Sequence, residues 1–160
     1  MSLMSEHVWM DGKFVAFEQA KVPVMTHTLH YGYGAFEGIR AYQRTDGSAH
    51  IFRLNDHIER LFESAHILGL EIPYSQAEIT QACIDVLKMN RFKSGYLRPL
   101  VYLGSEAMGL GALNNTVHVA IVSWQWGAYL GDDGLKNGIR AKVSSFNRSH
   151  VNVNMVKGKI

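Results

Sequence analysis

The sequence predicts an α+β domain in which two helices pack on one face of a largely antiparallel sheet. Three observations carry that prediction. Strand-like runs open and close the chain, two amphipathic helical segments lie between them, and Asp-Gly pairs of the kind that turn hairpins join neighbouring strands. At 160 residues, with 47% hydrophobic, 19% charged and 11% aromatic residues, the chain is long enough for one buried core. The same composition excludes disordered, collagen-like and coiled-coil classes.

Residues 8–10 (VWM) and 13–17 (KFVAF) flank Asp11-Gly12, a pair that tolerates the two positive φ angles of a type I′ turn, and so predict a β-hairpin. IRAYQ at 39–43 and HIFRL at 50–54, on either side of a connection containing Asp46-Gly47, predict a second. Asn55 or Asp56 can cap a first helix, whose apolar positions Ile58, Leu61, Phe62, Ala65 and Leu68 keep helical spacing until Gly69 stops it. Ser75 and Glu78 form the capping box of a second, with Ile79, Ala82, Cys83, Val86 and Leu87 on its apolar stripe. Strands return at 96–103, 117–124 and 139–145, and Pro99 places the first of these at an edge, a bulge or a strand start. Residues 127–138 (GAYLGDDGLKNG) are rich in Gly and Asp and read as a linker, which makes the strand after it the opening of a further domain.

Charge is nearly balanced: 16 Lys and Arg against 14 Asp and Glu give a formal net charge of +2, with the basic residues scattered. That pattern argues against a nucleic-acid or membrane surface. Cys83 is the only cysteine, which excludes an intrachain disulfide and a cysteine-based zinc site. The N-terminus shows no signal-peptide pattern, and no stretch reaches about 18 apolar residues, so the cytoplasm is the expected location.

Most chemistry-bearing patterns fail on spacing. Gly32, Gly34 and Gly38 follow GxGxxxG and lead into a strand, so a nucleotide loop gives way to glycines that let backbone pack closely. The eight histidines include His27 and His30, but no carboxylate or cysteine stands at ligand spacing, and no metal site is predicted. There is no GxSxG elbow, and Cys83 lies on an apolar helix stripe. Glu37, Glu59 and Glu106 show no spacing that sets them apart as a catalytic carboxylate pair. What remains is Arg98, two residues from Tyr96 on one strand face, a pairing suited to a carboxylate. Arg60, beside the apolar stripe of its helix, is placed either to reach a phosphate or to snorkel. A lysine such as Lys157 or Lys159 turns nucleophilic only where burial or neighbouring positive charge leaves its amine neutral. From the residues alone, the reading ends at a globular α+β domain with a candidate anion site.

Several segments taken together resemble the branched-chain amino-acid aminotransferases, pyridoxal-phosphate enzymes of fold type IV. They are THTLHYGYGAFEGIRAY (26–42), IFRLNDHIERLFESA (51–65), SGYLRPLVYLGSEAMGLG (94–111), SWQWGAYLG (123–131) and the run from SSFNR to MVKGK (144–159). The resemblance implies the small N-terminal α+β domain of that fold over residues 1–127, an interdomain loop at 128–138, and over 139–160 the first strand of a large cofactor-binding domain that is cut short. It implies transamination between branched-chain L-amino acids (Leu, Ile or Val) and 2-oxoglutarate, with pyridoxal 5′-phosphate as cofactor. Lys159, rather than Lys157, matches the Schiff-base lysine that also serves as general acid and base, and Arg60 matches the arginine that binds the cofactor phosphate.

Among substrate-binding positions, Tyr96 matches a residue near the α-carboxylate, and Arg98, with Tyr31 and Tyr129, matches the receiver of glutamate's side-chain carboxylate. Phe36, Tyr31, Leu110 and Trp126 match the apolar wall for a branched side chain, supported by Gly38 and Arg40. In the family Tyr31 and Leu110 reach a neighbouring subunit's site, so a homodimer or higher homo-oligomer is implied. The carboxylate that partners the cofactor ring nitrogen falls beyond Ile160, so the 160-residue chain, read as part of a longer enzyme, is expected to be inactive alone. The nearest alternatives are a D-amino-acid aminotransferase or an aminodeoxychorismate lyase of the same fold. From another class, the alternative is a non-catalytic dimerisation or binding module.

Overall fold

The computed structural model describes residues 5–112, 114–127, 131–146 and 158–159. Strands β1 (His7–Met10) and β2 (Lys13–Ala16) form the opening hairpin. At its turn Asp11 and Gly12 take φ values of 45° and 86°, the two left-handed residues that type I′ requires. A short helix α1 (His27–Tyr31) leads to β3 (Gly34–Phe36), β4 (Ile39–Gln43) and β5 (Ala49–Ile51). Helices α2 (Leu54–Ile67) and α3 (Gln76–Met89) follow, then β6 (Gly95–Leu103), β7 (Val117–Trp124) and a last helix α4 (Gly131–Asn137). The strands pair antiparallel in the order β2-β1-β7-β6-β4-β5, with β3 also on β6.

The two long helices cover one face of this sheet. Ile58, Leu61 and Ala65 from α2 and Ile79, Ala82, Cys83 and Val86 from α3 meet Ala35, Ile39, Leu97, Val101, Val119 and Ile121 of the strands. Both helical stripes thus face the core as their spacing predicts, with Phe62 and Leu68 only half-buried at its margin. Burial alternates along the two central strands, in β6 as far as Val101: Leu97, Pro99 and Val101 are buried while Tyr96, Arg98 and Leu100 are half-covered, and in β7 Ile121 and Ser123 are buried while Val122 and Trp124 are half-covered. The half-covered set points away from the helices and carries the candidate site.

Pro99 sits inside a central strand, not at the edge, bulge or strand start that proline predicts. Residues 34–43 run opposite β6 in one register, Phe36 facing Leu100 and Ile39 facing Leu97, so Glu37 stands opposite Pro99. The Glu37 N–H donates to the Pro99 carbonyl at 3.0 Å. The return bond of that pair needs an N–H that proline lacks, and this one missing bond is what divides β3 from β4.

Three other expectations shift. The Ser75–Glu78 capping box forms as predicted, with Glu78 N–H on Ser75 Oγ at 3.2 Å and Ser75 N–H on Glu78 Oε2 at 2.7 Å. Neither Asn55 nor Asp56 caps α2, however, because the chain turns straight from β5 through Arg53, at φ 48°, into the helix. The segment expected as a loop at 128–138 holds α4, closed by Gly138 at φ 75° with its N–H on the Gly134 carbonyl at 3.1 Å. IRAKVSS, expected as the first strand of the large domain, forms no strand: a strand exists only in a ladder, and no described residue pairs with it. Its Ile139 and Val143 stay 58% and 93% exposed. Among the described residues, no helix is long and apolar enough to cross a membrane, and no group of three or more His, Cys, Asp or Glu side chains is placed to hold a metal ion.

The packing sets an order of stability effects. Leu97→Ala, at a fully buried position, is expected to cost about 3 kcal/mol. Ser75→Ala, which removes one arm of the capping box, is expected to cost about 1 kcal/mol. Urea unfolding followed by circular dichroism checks both, and a reversal of that order would contradict the core described here.

Candidate active site

Phe36 and Gly38 project from residues 34–43 to the half-covered face, and Glu37, between them, projects to the helices. The Tyr96 ring crosses Gly38. A Cβ at position 38 would fall on the Tyr96 hydroxyl, so this approach requires glycine. Arg98 Nη2 donates to that hydroxyl at 3.4 Å. The Arg98 guanidinium lies 4.5 Å from the centre of the Phe36 ring, 5.5 Å from that of Tyr96 and 5.9 Å from that of Trp124. Tyr96, Trp124 and Trp126 form one aromatic cluster, with ring centres 4.9 Å (Tyr96–Trp124), 4.8 Å (Tyr96–Trp126) and 5.6 Å (Trp124–Trp126) apart. Among the described residues no carboxylate pairs with Arg98, and its buried Nε has no hydrogen-bond partner. An arginine caged by aromatic faces keeps its charge for an anion that arrives from outside.

Lys159 reaches the same place from the far end of the chain. Its N–H donates to Ser64 Oγ on α2 at 2.9 Å, and its carbonyl accepts from the Phe36 N–H at 3.0 Å. The Lys159 Nζ stands 5.5 Å from the centre of the Phe36 ring, so the Lys159 and Arg98 side chains both approach one aromatic ring. Lys157 lies outside the described residues.

On the helix side Glu37 is fully buried, and a carboxylate there needs partners. Helix α2 supplies them. Arg60 Nε donates to Oε1 at 2.5 Å and Nη2 to Oε2 at 2.8 Å, while His57 Nδ1 donates to Oε2 at 2.8 Å. Burial alone raises the Glu37 carboxyl, but the bonds from Arg60 and His57, the Arg60 charge and the Gly38 N–H outweigh it and hold the group below the ordinary glutamate range. The same carboxylate bonds raise the Arg60 pKa further. Arg60 stays 46% exposed, and its Nη1 donates to no described residue.

The remaining predicted positions divide. Arg40 lies on the face of Tyr96, half-buried, its guanidinium 5.7 Å from the Tyr42 ring. Tyr31 and Leu110 are held elsewhere, past the other end of β6, roughly 25 Å along the strand from Tyr96. There His27 stacks on Tyr31 at 4.5 Å and its Nε2 donates to the Gly109 carbonyl at 2.9 Å, while the Gly109 N–H donates to the Tyr31 hydroxyl at 3.1 Å. Leu110, next in the chain, is 92% exposed. Tyr129 lies outside the described residues.

A family model for amino-transferase class IV matches residues 34–159, a span that includes the β3–β4 register, α2 and Lys159. The chain belongs to the class IV aminotransferases. The branched-chain-amino-acid aminotransferase of Pseudomonas aeruginosa is 50% identical to it over 152 residues, which cover 95% of this chain and 49% of that protein. The solved branched-chain amino acid aminotransferase from T.th. with pyridoxamine 5′-phosphate matches with a TM-score of 0.90 and 40% identity, over 99% of this chain and 52% of that one. The same enzyme complexed with N-(5′-phosphopyridoxyl)-L-glutamate matches with a TM-score of 0.89 and 37% identity, over 99% and 51%. The chain therefore spans about half the length of the relatives it matches, and its fold is the N-terminal portion of fold type IV.

This class IV portion brings to the site four residues that spacing does not single out: Glu37, His57, Ser64 and Trp124. For Glu37 the alternation holds a signal, since a residue between Phe36 and Gly38 must point at the helices, where a lone carboxylate cannot stay. Trp124 is legible in the same way, two residues before Trp126. His57 and Ser64 carry no such signal, because their partners lie far away in sequence.

The direction of the Glu37 shift fixes a pH dependence. A carboxyl with a depressed folded pKa stabilises the fold above its unfolded pKa, and that stabilisation is lost as pH falls through the folded value. Glu37→Gln is expected to cost about 2 kcal/mol at pH 7, the order for hydrogen bonds to a charged group. The gap from wild type should close as the solution is taken below the ordinary glutamate range. Urea midpoints at pH 7, 5 and 3 test this, and a gap that widens towards pH 3 would refute it.

Proposed function

We propose that the enzyme of which this chain forms the N-terminal portion transfers amino groups between branched-chain L-amino acids and 2-oxoglutarate with pyridoxal 5′-phosphate. The carrying observation is the convergence of Arg98 and Lys159 on the Phe36 ring with, among the described residues, no carboxylate paired to Arg98. Residues 1–127 would be the small domain, 128–138 the connection and 139–160 the start of the large domain. The location would be cytoplasmic.

The residues present suit the cofactor. Its aldehyde needs an amine, which Lys159 offers. Its phosphate needs a cation with unengaged N–H groups, which Arg60 offers through Nη1. Bound pyridoxal 5′-phosphate supplies the electron sink that makes a substrate Cα proton labile. Lys159 Nζ is then the base that takes this proton, and the Ser64 and Phe36 bonds to its main chain fix the reach of its side chain. Tyr96 lies where an α-carboxylate is received, and Arg98 answers the side-chain carboxylate of glutamate. Phe36 and Trp126, with Trp124 in the same aromatic cluster, offer the apolar wall on which a leucine side chain excludes water, and Gly38 supports that wall by admitting the Tyr96 ring.

A pocket for both leucine and glutamate needs an apolar wall with a cation set into it, and the cage around Arg98 has that composition. Tyr31, bonded to Gly109, and Leu110, next in the chain, are distant from the cage and suit a homodimer in which each subunit lends them to its neighbour, with Tyr129 completing the carboxylate site.

Borohydride reduction of the enzyme in the presence of pyridoxal 5′-phosphate, followed by peptide mass mapping, is expected to label Lys159 and to lose that label in Lys159→Ala. Labelling spread over surface lysines would sink the assignment. Arg98→Leu is expected to raise KM for 2-oxoglutarate on the order of a hundredfold, as when a buried carboxylate loses its charged partner, and to change KM for leucine far less. Equal losses for both substrates would mean that Arg98 does not discriminate between them, and turnover of D- but not L-amino acids would overturn the substrate class.

A further inference from the structure

We propose that Glu37 is a positioning residue for the cofactor phosphate, acting through Arg60. The inference rests on the reading of Arg60 as the phosphate-binding arginine given above. Arg60 has a long side chain on an exposed stretch of α2, and left alone it would sample many rotamers. Glu37 removes that freedom. Its two oxygens take Nε and Nη2 in a fork, which fixes the guanidinium plane and leaves Nη1 as the edge turned to other ligands. Glu37 can do this because it is itself immobile, fully buried in the strand register opposite Pro99.

Two features separate this role from that of a simple tie between α2 and the sheet. A tie needs one bond from any donor, whereas here Arg60 alone uses both carboxylate oxygens and keeps one terminal nitrogen unengaged among the described residues. Glu37 also stands between Phe36 and Gly38 in the chain, so the strand that fixes the arginine also forms the substrate wall. A carboxylate near a phosphate repels it. His57 and the Gly38 N–H, at 2.8 Å and 3.2 Å from Oε2, draw on the Glu37 charge and blunt that repulsion.

The test compares binding of pyridoxal 5′-phosphate with binding of pyridoxal, which lacks the phosphate, in the enzyme carrying this chain as its N-terminal portion. Dissociation constants are read from cofactor absorbance for wild type, Glu37→Gln and Arg60→Gln. Glu37→Gln is expected to weaken the phosphorylated ligand about tenfold, the low end for losing a partner that orients a binding group, and pyridoxal by less than about threefold. Arg60→Gln should lower the same ratio at least as far. If Arg60→Gln lowers the ratio while Glu37→Gln leaves it unchanged, raises it, or weakens both ligands alike, Glu37 is only a structural tie and the reading of Arg60 stands. If Arg60→Gln leaves the ratio unchanged, the reading of Arg60 falls and the inference falls with it. Should Glu37→Gln not fold, Glu37→Asp, which keeps the charge but shortens the arm, makes the same comparison: an unchanged ratio overturns the proposal and a reduced one supports it.

Discussion

Everything at this site hangs on the pairing of residues 34–43 with β6. Strand geometry sends successive side chains to opposite faces, so this register places Phe36, Gly38 and Arg40 with Tyr96 and Arg98, and Ala35, Glu37 and Ile39 with the helices. A slip of one residue would bury the polar set and expose the core set. Two local features secure it. The Tyr96 hydroxyl fits only over a glycine, and Glu37 meets Arg60 and His57 only if it faces α2. The charged groups at the site are therefore also reporters of correct folding.

Helix α2 acts as a ruler between the two faces. Arg60 and Ser64 are four residues apart, hence neighbours on one side of the helix. One holds the buried carboxylate of β3–β4 and the other holds the Lys159 main chain. The Lys159 main chain runs along the edge of β3 that β6 does not occupy, and Phe36 closes the arrangement by donating its N–H to the Lys159 carbonyl. A displacement of α2 would thus move the cation over Phe36 and the arginine beside it together. The apolar stripe of Ile58, Leu61 and Ala65, which seats α2 on the sheet, is for this reason part of the site's geometry as well as of its stability.

Where a local rule dictates structure, the sequence is readable. Asp11-Gly12, the Ser75–Glu78 box, the α3 stripe and the alternation of β6 and β7 each arise from interactions within a few residues, and each appears where expected. Pro99 defeats the local rule because the cost of its missing N–H depends on what stands opposite, and Glu37 needs only the Pro99 carbonyl. IRAKVSS has the pattern of a strand, but pattern alone provides no partner. The site divides along the same line. Tyr96 and Arg98 are adjacent by alternation and can be paired on sight, while Lys159 and Ser64 meet across 95 residues. Resemblance to a family supplied expected roles for Lys159 and Arg60 but none for Ser64 or for Glu37, which touches neither cofactor nor substrate on the proposed reading.

The separation of Tyr31 and Leu110 from the Arg98 cage follows from the same strand. Both sit beyond Leu103, where α1 docks through the His27 N–H on the Gly104 carbonyl, while the cage occupies the opposite end of β6. One rigid strand cannot bring its two ends together, so Tyr31 stays apart from Arg98 while α1 remains docked there. The Gly109 clamp nevertheless holds the pair in a defined geometry with Leu110 turned to solvent. Held beside this clamp, the exposed leucine is available to a receiving surface. On the proposed reading the receiver is the cage of a second subunit, and the length of β6 sets how far each subunit must reach.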